Sequence, residues 1–231
     1  MKKKLPSIIL SLAMFLLFLT GCSGDGPSGT VSGSDWTPGQ TSVKLLGGSW
    51  YSENGHVYVF YSVEATNKGS RSFNGSTMNI TCLDENGHSL CYQSPSVYPI
   101  APGDTIRYSG SFDYFGTAPS SLDVHFVDNL GMYYYDENVS RHSEFVIDEI
   151  NMSSSDMFYI ISGTVINNSS EKQGVQVSAI FKQAGQIVGG QFGYSSPIEA
   201  GKSGSFTIYL PHAFEKCDLY EITANAYYSY E

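Results

Sequence analysis

From His56 to Ala65 the chain alternates. Val57, Val59, Tyr61, Val63 and Ala65 fall on one face at period two, with His56, Ser62 and Glu64 opposite. This pattern predicts a half-buried β-strand. Leu122, Val124 and Phe126 alternate with Asp123 and His125 and predict another. Met157 to Asn167 predicts a long strand that is apolar on both faces until Gly163. Turn signals punctuate both halves: Asn67-Lys68-Gly69, Asn86-Gly87, Pro102-Gly103, Asn167-Asn168, Ala184-Gly185 and Ala200-Gly201. Beyond the N-terminal segment no stretch keeps helical periodicity for three turns. The best short helix is His212 to Lys216, behind Pro211.

The pattern repeats itself. Asn86-Gly87 corresponds to Ala184-Gly185, and Ile100-Ala101-Pro102-Gly103 to Ile198-Glu199-Ala200-Gly201, both 98 residues apart. Upstream, Val63 to Asn67 corresponds to Gly163 to Asn167 at a separation of 100, so the two copies differ by two residues in between. Leu122 to Phe126 corresponds loosely to Leu219 to Thr223. The expected fold is all-β: two tandem immunoglobulin-like antiparallel β-sandwiches, over 43–138 and 143–231. One conflict stands. Met78, Ile80 and Cys82 share a face, whereas the second copy favours Val175, Val177, Ala179 and Phe181, the opposite parity. A bulge or a one-residue shift is required.

The N-terminus has another character. Lys2, Lys3 and Lys4 precede an apolar run from Ile8 to Leu19 broken only by Ser11. A spanning helix needs roughly 20 apolar residues, so this run fits a secretory signal better. Leu19-Thr20-Gly21-Cys22 closely resembles the bacterial lipobox. The resemblance implies a signal peptide over 1–21, cleavage before Cys22 and a diacylglycerol on its sulfur. The protein would then be anchored by lipid at the extracytoplasmic face of a bacterial cell membrane, two acyl chains holding it stably. Residues 22–42, rich in Ser and Gly, predict a flexible tether. Trp36 is its one large apolar residue and predicts a contact near the first sandwich.

Loss of the three signal lysines takes the formal net charge from −10 to −13. That argues against nucleic acid and against electrostatic docking on anionic lipid, both of which need clustered Lys and Arg. Tyr (17), Phe (13) and Gly (24) are abundant, which suits pleated sheet with many turns.

The run Gly163-Thr164-Val165-Ile166-Asn167-Asn168-Ser169, then Ala179 to Val188, then Ala200-Gly201 and Phe206, resembles the FxLYD-type domain. That is an immunoglobulin-like module of Gram-positive lipoproteins. The likeness covers 145–228 and, more weakly, 43–135. Leu83-Asp84 and Phe181-Lys182 stand where the motif has its Leu-Tyr-Asp core. The resemblance implies a non-enzymatic module with no catalytic residues and no cofactor.

Of the three remaining cysteines, Cys82 and Cys91 fall opposite each other across a two-residue turn at Asn86-Gly87. This predicts a cross-strand disulfide. Cys217 stays single, a buried small hydrophobe. Gly201-Lys202-Ser203 lacks the earlier glycine of a phosphate-binding loop, since Ser196 stands there, and Phe206 to Tyr209 predicts strand. No metal site is expected: the five histidines are scattered, and Asp84-Glu85-Asn86-Gly87 lacks the rest of a calcium loop. Asp136-Glu137 and Asp148-Glu149 predict solvated charge. Tyr133, Tyr134 and Tyr135 end the first copy as Tyr227, Tyr228 and Tyr230 end the second. They predict a last sandwich strand and are the candidate ligand contacts. The expected function is a lipid-anchored binding or scaffold module for a protein or cell-wall component, the alternative being capture of a carbohydrate by exposed tyrosines.

Overall fold

A computed structural model describes residues 29–33, 35–36, 41–74, 77–126, 133–135 and 139–229. The signal-peptide and lipidation expectations, Cys22 included, lie outside the described residues, as do Asp136 and Glu137. The first half holds β1 (Gly29–Gly33), β2 (Asp35–Trp36), β3 (Thr41–Glu53), β4 (His56–Asn67), β5 (Ser72–Asn74), β6 (Met78–Leu83), β7 (Ser89–Gln93), β8 (Thr105–Phe115), β9 (Ser121–Phe126) and β10 (Tyr133–Tyr135). The second holds β11 (Phe145–Ser154), β12 (Tyr159–Asn167), β13 (Gln173–Gln183), β14 (Gln186–Tyr194), β15 (Ser203–Leu210) and β16 (Asp218–Ser229). The expected short helix is a 3₁₀ turn at His212–Lys216.

The chain is an all-β sandwich protein. In the second half, sheet β11-β12-β15 faces sheet β14-β13-β16. Ile161, Val165, Phe206 and Ile208 meet Val175, Val177, Ala179 and Phe181 between them. In the first half, β3-β4-β8 faces β7-β6-β9 in the same way, around Val59, Tyr61 and Val63 against Met78, Ile80 and Val124. Here β1 runs antiparallel to β3 and parallel to β9, joining the two layers into one eight-stranded sheet. This corrects the tether expectation for 29–36. Val31 is buried against Gly48, and backbone groups left open at the edges of β3 and β9 find partners there.

The two halves carry the same local device. Asn67 Nδ2 donates to Arg71 O and Ile100 O, while its Oδ1 accepts from Gly69 N. Asn167 Nδ2 donates to Glu171 O and Ile198 O, and its Oδ1 accepts from Ser169 N. Each asparagine closes the turn after a central strand and ties it to a distant loop.

Register resolves the parity conflict. Phe73 and Gln173, 100 residues apart, make the same bridge, to Ile100 and Ile198. Thr81 pairs with Tyr92 and Asp123, and Ile180 with Gly190 and Glu221, so these central positions lie 99 apart. One extra residue of the first half therefore falls between Phe73 and Thr81, and it flips which parity faces the core. The second extra residue is in the hairpin. Asp84 N donates to His88 O, so Glu85-Asn86-Gly87 form a three-residue loop, with Gly87 at φ 80°. This corrects the two-residue turn. Leu90 bulges out and restores Cys82 opposite Cys91, as Val188 does between the pairs Lys182–Ile187 and Phe181–Gly189.

A second expectation fails on burial. The polar side of β4 does not face solvent, because the sheet β14-β13-β16 lies on it. Phe60 reaches the second half's core and meets Phe214 at 4.9 Å between ring centroids. Ser49 Oγ donates to Val188 O, Ser178 Oγ accepts from Ser109 N, and Gln191 Nε2 donates to Ser111 Oγ. Small residues bring the sheets this close. A Cβ on Gly47 would collide with Ile187 O, and one on Gly189 would sit 2.7 Å from Phe60 backbone. Arg107 closes one edge: its carbonyl accepts from Thr223 and Asn225, and its guanidinium sits between Glu64 and Glu221. The result is four stacked layers in one body.

Candidate docking faces

The residues singled out by sequence do not converge. Tyr133, Tyr134 and Tyr135 pair through their backbone with Asn74, Phe73 and Ser72. Tyr133 opposite Asn74 matches Tyr228 opposite Gly174, which places β10 as the continuation of the last strand. Cys82 and Cys91 are direct register partners, and both are free thiols. Burial pushes the Cys82 thiol well above the ordinary range, with Cys91 adding to the rise. Cys217 is buried beside the 3₁₀ turn, and burial lifts its thiol to about 11.

Each histidine has its own carboxylate: His56 with Asp113, His88 with Asp84, His125 with Asp123, His142 with Asp104, and His212 with Glu215. The five pairs are dispersed over the molecule, and among the described residues no group of three or more His, Cys, Asp and Glu could hold a metal ion. Asp84 Oδ1 is taken by the backbone N–H groups of Asn86 and His88, so its turn role uses the oxygens that a cation would need. Those hydrogen bonds hold its carboxyl below the usual carboxylate range.

What sequence reasoning missed is the fate of equivalent faces. The outer side of β3-β4-β8 carries Tyr58, Phe60, Ser62 and Glu64, and it is covered by the second half. At the same register positions β12 carries Ile160, Ser162 and Thr164, half-buried on the outer side of β11-β12-β15, and Phe158 lies just before the strand. Opposite Ile160, β15 places Tyr209, which meets Phe158 edge to face at 5.7 Å. Phe158 is 40% exposed, Tyr209 55% and Met157 72%. Val146, Ile150 and Met152 are also exposed on β11. Most of the exposed large apolar side chains among the described residues thus belong to this one sheet and its β11–β12 turn: Val146 and Tyr209 lie on the outer face, Met157 and Phe158 in the turn beside it, and Met152, opposite Ile161, on the other side. Asp148, Glu149 and Asp156 give its exposed edge a negative sign.

The turn itself is held from below. Glu215 accepts from Ser154 Oγ at 2.7 Å and contacts His212 Nδ1 at 2.6 Å. The Glu215 hydrogen bond raises the His212 pKa above its ordinary value, and the Ser154 hydrogen bond, with His212, lowers that of Glu215.

The other outer layer, β7-β6-β9, is polar, with Tyr92 68% exposed on it. No protein-family model matches this chain, and no curated protein matches it. Among the described residues no helix is long and apolar enough to cross a membrane.

Proposed function

We propose that this protein is a bacterial lipoprotein anchored through Cys22 at the extracytoplasmic membrane face, working as a non-enzymatic docking scaffold. Residues 43–138 and 143–231 are two copies of one immunoglobulin-like domain that resembles the FxLYD type. The observation that carries the docking role is the open outer face of β11-β12-β15. In the first half the equivalent face seats another β-sheet, so the same surface in the second half suits a partner of the same kind. That partner is a protein presenting a sheet of small and polar side chains, with basic residues at its edge to meet Asp148, Glu149 and Asp156.

The test is photocrosslinking in cells from a benzophenone residue placed at Met157. A discrete crosslinked band is expected, and it disappears in Phe158→Asp/Tyr209→Asp while the melting temperature stays within about 2 °C, since surface changes are usually small. A band that survives the double change removes this face as the docking surface. Cys22→Ala should release the protein from the membrane fraction, and retention there would refute the anchor.

We also propose that Cys82 and Cys91 close as a disulfide after export. Exchange with an external disulfide would carry off the two protons and two electrons. The cross-link adds about 2–3 kcal/mol for so short a loop. A count of three free thiols on the exported protein would exclude it.

A further inference from the structure

The outer face of β7-β6-β9 is the counterpart of the face by which β14-β13-β16 packs on the first half. Its side chains have changed in kind. Where the second half has Gly190, the first has Tyr92; where it has Ile180 and Ser178, the first has Thr81 and Asn79. Glu221 and Thr223 correspond to Asp123 and His125 across the same neighbours. Gly190 lies in that seam: a Cβ there would sit 2.9 Å from Ser109 Oγ of the first half. Tyrosine at this position bars that mode of packing. It leaves a flat open sheet with one aromatic ring at its edge.

The polar groups around the ring form two rows. Tyr92, Thr81 and Asp123 lie side by side across three strands. Asn79 and His125 form the next row, and Ser94 Oγ donates to Asn79 Oδ1 at 2.6 Å, which fixes the amide. His125 Nδ1 lies 3.4 Å from Asp123 Oδ2. The reverse side of the same strands is core: Ile80, Cys82, Leu122 and Val124. The grid is therefore held rigidly. Strands stand about 4.8 Å apart and same-face residues about 6.8 Å apart along a strand, the footprint of one or two sugar rings.

We propose that this face is a glycan-binding site for a neutral pyranose chain, with Tyr92 as its platform. The apolar C–H face of a sugar ring stacks on Tyr92. Asp123 accepts from ring hydroxyls by charge-assisted hydrogen bonds, and Asn79, Thr81 and His125 supply further polar contacts. The site goes beyond the protein-docking face of the second half and needs neither that face nor the lipid. It also differs from the Tyr133–Tyr135 platform expected from sequence, because it lies on the adjacent sheet face instead of the terminal strand.

The test titrates full-length protein, in a detergent without a sugar headgroup, with cellohexaose and chitohexaose and pulls it down on purified cell-wall sacculi. Binding of at least one of the three is expected. Tyr92→Ala should weaken it at least about tenfold, Tyr92→Phe should retain it within about threefold, and Asp123→Asn should weaken it by several-fold. The melting temperature should not move in Tyr92→Ala, since that ring is 68% exposed. Absence of binding to all three probes overturns the proposal. So does binding that Tyr92→Ala leaves intact, and loss confined to Tyr134→Ala would move the platform to the terminal strand. Neither result touches the crosslink from Met157.

Discussion

Tyr92 and Gly190 occupy the same place in two sandwiches of the same construction, and they have opposite fates. Gly190 lies under another sheet, where a Cβ would sit 2.9 Å from Ser109 Oγ. Tyr92 stands in solvent. The same contrast runs through the other pair of layers, where Phe60 is 3% exposed under the second half and Tyr209, on the matching face of β11-β12-β15, is 55% exposed. A sheet face has no fixed role in this architecture. A handful of side chains decides whether it becomes an internal seam or an outward surface, because sheet packing depends on how closely backbones can approach.

The sharpest way to break this comparison is to exchange the two residues. Gly190→Tyr should cost on the order of 5 kcal/mol, as a ring with nowhere to go in the seam, whereas Tyr92→Gly should change chemical-denaturation stability by less than about 1 kcal/mol. Equal costs would show that the seam is not sensitive to bulk. Phe60→Ala should cost about 3–5 kcal/mol, because the ring fills a shared core, and Phe158→Ala only a few tenths. The asparagine devices sharpen the comparison from the other side, since there the halves should behave alike. Asn67→Ala and Asn167→Ala should each cost about 2–3 kcal/mol through carbonyls left without their donor, and a difference above about 1.5 kcal/mol between them would deny the equivalence.

The smallest effect is one of pH, in the second half only. The raised His212 contributes attachment of the β11–β12 turn that is full below its ordinary value of 6.5 and lost as pH rises through its folded pKa. The lowered Glu215 contributes attachment that is full above 4.5 and lost as pH falls through its folded pKa. Amide exchange at Ser155 to Phe158 should therefore be slowest relative to base-catalysed expectation between those limits, and His212→Ala should abolish the loss on the alkaline side while the acid-side loss, carried by Ser154 and Glu215, remains.

Alternation along β4 and β9, the turn residues and the 98- and 100-residue separations made the all-β sandwich legible in the sequence. The same periodicity misled at β4, because a polar side holding Ser62 and Glu64 looks identical whether it faces water or a neighbouring sheet of glycines and serines. The parity conflict at Met78 was legible as a conflict. Its location was not, because an extra residue in a strand leaves no compositional mark and a three-residue loop at Asn86-Gly87 uses the same residues as a two-residue turn. The N-terminal segment from Gly29 looked like tether by composition. Val31 and Trp36 alone offered apolar anchors, and only the open edges of β3 and β9 give their strands a place. Neither candidate face was legible, since Tyr92 and Tyr209 gain meaning only beside their counterparts, Gly190 and Ser111.

The most direct test of one body with unequal faces is hydroxyl-radical footprinting of the full chain, read residue by residue. Phe60, whose ring packs into the second half's core, should be protected to the level of Phe73 and Phe126 in the first core, while Tyr92, Phe158 and Tyr209 oxidise fast. Oxidation of Phe60 at a rate near that of Phe158 would mean that the two halves stand apart, and the contrast between Gly190 and Tyr92 would lose its basis.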